Sequence, residues 1–166
     1  MRTLALVLAI LLPAACTAAP AARVPEVRAD TWLNGSPADG LRGRVRLVEF
    51  WTFGCINCVR TVPAIRELHQ LYSGRGLVVV GVHSPEFEQE RDVAAVRDAV
   101  ARLEIPYLVA VDTDFRIWNA FGNRYWPTTY LVGRDGTILW RHIGELHRNT
   151  PAWQEGVARI ERALGP

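Results

Sequence analysis

The chain has 166 residues and a mass of 18.6 kDa, room for one ordinary domain plus a leader. Its 49% apolar and 22% charged residues exclude a disordered chain, and a formal charge of +2 gives nucleic acid no electrostatic hold. Three cysteines are too few for a disulfide scaffold or a four-thiolate zinc site.

A leader comes first. Arg2 supplies a short positive region, and LALVLAILL at 4–12 is an unbroken apolar run. It is short for a bilayer span, and its flanks fit a secretory signal, with an uncleaved membrane anchor as the alternative. Ala19 and Ala21 suit an ordinary signal-peptidase site. Alternatively, Leu12-Pro13-Ala14-Ala15-Cys16 resembles a bacterial lipobox with Cys16 as the lipidated residue, although Pro13 replaces the usual aliphatic residue. Lipidation would account for a third, otherwise unpaired thiol in an exported protein. We therefore expect a leader and tether over 1–22 and one domain over 23–166. The domain is expected in the periplasm or cell envelope, touching the membrane only through its N-terminus.

Residues 23–43 are loop-like, with Pro25, Gly35, Pro37, Gly40 and Gly43 and one short strand around Trp32. VRLVEFW at 45–51 is rich in β-branched and aromatic residues and predicts a strand. Over 59–72, Val62, Ile65, Leu68, Leu71 and Tyr72 share one helical face. LVVVGV at 77–82 predicts a strand covered on both faces. Helical spacing returns over 88–103, a further buried strand follows over 107–111, and 115–121 predicts a short helix. Strands over 128–132 and 137–143 flank Gly133-Arg134-Asp135-Gly136, a hairpin turn. A last helix covers 152–164, with Thr150 as its N-cap and Pro151 at its first position. Strands alternating with helices predict an α/β fold whose central sheet has parallel pairs and helices on both faces; the final hairpin makes that sheet mixed.

Cys55-Ile56-Asn57-Cys58 falls between the first core strand and the first core helix. At a helix start, free N–H groups and the macrodipole favour negative charge on the first sulfur. A thiolate attacks a disulfide sulfur, and a second thiol one turn in can resolve the mixed disulfide. This makes Cys55 the nucleophile and Cys58 the resolving thiol. Other readings are weaker. His69, His83, His142 and His147 form no paired motif to complete a zinc site. Covalent haem needs His where Val59 stands. A purely structural disulfide would close a tiny loop and add little stability.

Glu49 is an acid inside an apolar strand, six residues before Cys55. Buried, its carboxyl would hold its proton to higher pH and could exchange it with a thiol. Alternatively it faces solvent, or pairs with Arg46 on an exposed face. His83 reads as structural. Asp112 and Asp114 resemble half a metal loop without the remaining carboxylates.

WTFGCINCVRTVP at 51–63, GVHSPEF at 81–87 and FGNRYWP at 121–127 resemble the thioredoxin superfamily. Within it they are most similar to exported TlpA/ResA-type thiol–disulfide oxidoreductases, and in particular to the periplasmic domain of DipZ-type proteins. The resemblance runs from about residue 32 to the C-terminus. It implies a thioredoxin-like mixed sheet with a TlpA-type insertion before Pro127. It makes Pro127 the cis-proline opposite the thiols and Pro63 the proline of the first helix; Gly144 matches a family glycine. Trp51, Trp126 and Thr128 become substrate-binding residues, and Glu49, where thioredoxins proper carry Asp, becomes the proton relay to the resolving thiol.

The implied substrates are cysteines of other exported proteins, apocytochromes among them, in cytochrome c maturation or redox homeostasis. The multi-span domain often fused to DipZ-type proteins is not seen in this sequence, so a separate membrane electron donor of the CcdA/DipZ type is the expected partner. No cofactor and no metal are called for. Two other functions remain in view. One is a copper- or zinc-handling thiol protein. The other is a thiol peroxidase, for which Thr52 stands three residues before Cys55 but the expected earlier Pro is missing.

Overall fold

The computed structural model of the chain describes residues 23–37 and 40–166. The expected leader and Cys16 lie outside the described residues. Six strands and four helices follow one another as β1 (Thr31–Leu33), β2 (Val45–Trp51), α1 (Ile56–Tyr72), β3 (Leu77–His83), α2 (Val93–Arg102), β4 (Leu108–Val111), α3 (Arg116–Ala120), β5 (Thr128–Val132), β6 (Ile138–Ile143) and α4 (Pro151–Leu164). The strands form one sheet in the order β1-β4-β3-β2-β5-β6. β2, β3 and β4 run parallel, and the other pairs are antiparallel. The mixed α/β sheet expected from the sequence is the one observed.

β2 is central because all seven of its residues can be buried. Its alternation divides the core. Val45, Leu47 and Trp51 face α1, α2 and α4, meeting Val62, Ile65 and Leu68 of α1, Val96 and Val100 of α2, and Ile160 of α4. Val48 and Phe50 face α3 and the N-terminal segment, where Ile117, Trp118, Val27 and Leu41 cover them. The Phe50 ring makes edge contacts with Trp118 at 5.7 Å, Phe121 at 5.2 Å and Tyr130 at 5.8 Å. Arg46 and Glu49 therefore lie on opposite faces of the sheet, which removes the exposed Arg46–Glu49 pair as a reading.

Two helices depart in extent from expectation, each for a local reason. α1 begins at Ile56, three residues before the apolar spacing shows, because Ile56 and Asn57 are exposed and leave no mark on the periodicity. The helix expected over 88–103 is two pieces, a 3-10 turn at Glu88–Arg91 and then α2. Asp92 divides them by accepting the Ala94 N–H at 2.9 Å as the N-cap of α2. Asp112 is no half metal loop: its two oxygens accept the N–H groups of Ile117 and Trp118 and the Ser84 hydroxyl, each at 2.9 Å, and so tie the start of α3 to the end of β3. The last helix starts as expected, with Thr150 Oγ accepting the Trp153 N–H and Pro151 in the first position.

Candidate active site

The loop leaving β2 carries Cys55 to the N-cap of α1, where its Sγ accepts the Cys58 N–H at 3.3 Å. Ile56 and Asn57 are too exposed to bury anything, so the turn stands at the surface with Cys55 half-exposed. Cys58 lies one turn deeper and is fully buried; both thiols are free. Burial pushes the Cys58 thiol far above its ordinary range. The Cys55 sulfur and the Glu49 charge add to that, and the Thr52 backbone N–H partly offsets it. The two sulfurs thus have different tasks available: Cys55 can be reached, whereas Cys58 needs a base to become a thiolate.

Glu49 is the buried acid whose charge acts on Cys58. It shares the α1 face of β2 with Trp51, and its neighbours across the sheet are Gly81 and Thr129. It is fully buried, and burial raises its carboxyl from 4.5 to about 8, the Tyr107 hydroxyl opposing the rise by donating to Oε2 at 3.3 Å. Oε1 has no partner and is the oxygen left for a proton. Gly81 makes this floor possible. A Cβ there would lie 2.9 Å from Trp51 Nε1 and 3.2 Å from Cε2 of Tyr107, whose hydroxyl bonds the Glu49 carboxyl.

Glu90 is the other buried acid at the site. From the 3-10 turn after β3, its Oε1 accepts the Gly54 N–H at 2.8 Å. Its Oε2 accepts the N–H groups of Glu86 at 2.6 Å and Phe87 at 2.9 Å. One carboxylate thereby ties the residue before Cys55 to the turn beside it. Gly54 is the only residue type that fits, since a Cβ would come within 2.2 Å of Glu90 Oε1. The sequence reading missed Glu90. A Glu three residues after Ser or Thr marks a capping box, but here Phe87 holds the first position, so the usual signature is absent. Tyr107 was read only as the start of a strand.

The remaining expected residues are placed as follows. The Trp126–Pro127 peptide is cis. Pro127 precedes β5, which pairs Thr128 with Phe50, so it stands beside the end of β2 from which the cysteine loop departs. Its carbonyl accepts the Gly144 N–H at 2.9 Å, which gives the expected glycine a partner. Pro63 lies inside α1, which continues to Tyr72. Trp126 is half-buried; its indole N–H donates to Ser84 O at 3.0 Å, and its ring lies 4.1 Å from that of Trp118. Thr128 is buried and donates its hydroxyl to Tyr125 O at 2.8 Å. Trp51 has no exposed surface and supports the site from within. Thr52 is also buried, its hydroxyl 3.2 Å from His83 Nε2 rather than on a cysteine. Burial lowers the His83 imidazole to about 4, so it stays neutral, stacked on Phe53 and edge-on to Trp51. Among the described residues, no three His, Cys, Asp or Glu side chains gather as a metal site. Ile56, Phe87 and Tyr125 are exposed apolar side chains on the loops around Cys55.

A family profile described as Redoxin matches residues 17–157. The chain belongs to the Redoxin family. It is 41% identical over 125 residues to protein DipZ of Mycobacterium tuberculosis, an alignment covering 72% of this chain and 18% of that protein. The chain thus spans under a fifth of the length of that relative. It is 31% identical over 123 residues to the thiol-disulfide oxidoreductase YkuV of Bacillus subtilis, covering 72% of this chain and 81% of that one. The solution structure of a thioredoxin-like protein in the oxidized form superposes with a TM-score of 0.71 at 26% identity, covering 84% of this chain and 95% of the other. The fold is thioredoxin-like, and the chain is similar to thiol-disulfide oxidoreductases such as YkuV.

Proposed function

We propose that this protein exchanges disulfides with cysteines of other extracytoplasmic proteins through Cys55 and Cys58. The observation that carries the reading is the pairing of an accessible sulfur at a helix N-cap with a buried sulfur under the influence of a buried carboxyl whose Oε1 has no partner among the described residues. In the reducing direction, the Cys55 thiolate attacks a substrate S–S bond. A Cys55–substrate disulfide forms and one substrate thiolate leaves. Glu49 Oε1 takes the Cys58 proton, the Cys58 thiolate attacks the Cys55 sulfur, and the second substrate thiolate leaves. Two electrons have then passed from the dithiol to the substrate, and the Cys55–Cys58 disulfide remains. The same steps in reverse oxidise a dithiol, with protonated Glu49 returning the proton to Cys58. A carboxyl near 8 supplies both forms around neutral pH.

Pro127 and its neighbours Trp126 and Thr128 meet the substrate backbone beside the sulfurs, with Trp51 holding the loop from beneath. The leader reading supports export, with Cys16 or a signal-peptidase site ending it. Among the described residues, no helix is long and apolar enough to cross a membrane. The likeness to DipZ supports a membrane donor that restores the dithiol, and reduction of apocytochrome cysteines is the use this favours.

A redox titration of the Cys55–Cys58 couple tests the reading. A potential near that of thioredoxin, roughly −270 mV, fits a reductant, and one near −120 mV would make the protein an oxidant. Stoichiometric copper retained on the two thiols, with no insulin reduction, would replace the reading with metal handling. Peroxide consumption faster than disulfide exchange would replace it with a peroxidase.

A further inference from the structure

Arg46 is the second charge inside VRLVEFW, and the site described above does not use it. It lies on the α3 face of β2, five residues before Trp51, which places it roughly 16 Å down the strand from the cysteine end. Its side chain is 2% exposed, and among the described residues its Nε and Nη1 have no hydrogen-bond partner. Burying a guanidinium without a partner is strongly unfavourable, and proteins compensate such a group with an opposite charge. The Glu26 charge offsets the burial of Arg46 only in part, and the described carboxylates of the cleft are already engaged. Glu26 accepts the Leu41 N–H at 2.8 Å and pairs with Arg28 at 3.4 Å. Asp135 accepts the Thr137 N–H at 3.0 Å and hydroxyl at 2.7 Å and pairs with Arg23 at 3.5 Å.

Arg46 opens onto a cleft of about 380 Å³ whose wall also holds Arg23, Arg42 and Arg134 together with Glu26 and Asp135. Four guanidinium groups face two carboxylates there, leaving an excess of two positive charges over the lining. A guanidinium offers a planar fork of N–H donors that matches the oxygens of an oxyanion. The geometry points to an anion site at the end of the sheet opposite the cysteines, in which Arg46 binds a doubly charged tetrahedral oxyanion of the phosphate class and Arg42 and Arg134 close over it. The phosphate is either free or the headgroup of an anionic lipid. The site is independent of the disulfide chemistry.

The test compares the thermal midpoint of the full chain in inorganic phosphate with that in chloride at matched ionic strength. For the wild type, 50 mM phosphate raises the midpoint by about 3–6 °C. Arg46→Met abolishes the rise, and Arg42→Gln with Arg134→Gln, both on the exposed wall, weakens it should the first variant fold poorly. Arg46→Met also raises the midpoint in chloride, because it removes a buried charge that Glu26 compensates only in part. Sedimentation with phosphatidylglycerol and phosphatidylcholine vesicles distinguishes the two sources. The leader, with its positive Arg2, contributes alike in both variants, so the change in anionic-vesicle preference on Arg46→Met is the quantity read. A preference that Arg46→Met reduces assigns a lipid headgroup; a preference that Arg46→Met leaves unchanged, alongside a phosphate response that it removes, assigns a free oxyanion. A phosphate response equal to that of chloride, or one unchanged in both sets of variants, overturns the site.

Discussion

Glu49 and Glu90 are the same residue type, buried to the same degree, on two sides of one cysteine turn. Glu90, beside Cys55, has three backbone N–H donors on its two oxygens. Glu49, beneath Cys58, has one phenol on Oε2 and nothing on Oε1. Burial alone therefore does not assign a role to a carboxyl; its partners do. A carboxylate whose oxygens are saturated by fixed N–H groups holds the backbone in place. A carboxyl left short of donors in an apolar floor keeps its proton to high pH and can trade it with a neighbouring sulfur. The first region fixes geometry, and we propose that the second carries the proton.

The comparison breaks most visibly at Glu49. Glu49→Gln removes the proton carrier without opening a cavity, and disulfide exchange should slow by about 100-fold while the fold is kept. The pH–rate profile decides its meaning: the wild type should show a limb near 8, from the Glu49 carboxyl, that the variant lacks. A uniform slowing with the limb intact would reduce Glu49 to a packing residue.

At Glu90 the expected loss is smaller and of another kind. Glu90→Gln turns an amide NH2 toward backbone N–H groups and should cost about 1–3 kcal/mol of stability. Its rate should fall about 10-fold through a misplaced Cys55, with no change in the shape of the pH profile. Gly54→Ala should reproduce both effects, since its Cβ displaces the same oxygen. Because the two changes break one contact, the double variant should fall well short of their sum. Additive losses would show that Glu90 and Gly54 act separately.

The smallest effect is read in equilibrium stability. Below pH 4.5 folded and unfolded chains both hold the Glu49 proton, and this group's contribution is constant. Between 4.5 and about 8 the folded chain keeps a proton that the unfolded chain has released, so stability falls as pH rises. The fall is at most about 1.4 kcal/mol per pH unit and ends once the folded carboxyl ionises above about 8. Denaturant titrations across this window should be steeper in pH for the wild type than for Glu49→Gln, and equal slopes would contradict the buried protonated acid.

The sequence made much of this legible, for reasons that differ by element. β2 and β3 were readable because strands covered on both faces are continuously apolar, which also made Glu49 and Arg46 stand out. Cys55 and Cys58 were readable from spacing and position. That Arg46 and Glu49 take opposite faces follows from their odd spacing in a strand; which face lies under α1 was not legible, because β2 is covered on both sides and its apolar run does not distinguish them. Glu90 was hidden among Glu86, Glu88 and Glu90, three acids in one polar turn of which only the last turns inward. The break before α2 was hidden because the apolar spacing begins only at Val93, and nothing in the polar stretch before it marks Asp92 as the cap.

The division of labour between the two sulfurs is tested most directly by trapping. Cys58→Ser and Cys55→Ser are each incubated with a peptide disulfide, and the adducts are mapped by mass spectrometry. Cys58→Ser should accumulate a mixed disulfide on Cys55, and Cys55→Ser should accumulate none, because its remaining thiol is buried and protonated. An adduct on Cys58, or equal trapping by both variants, would contradict the assignment.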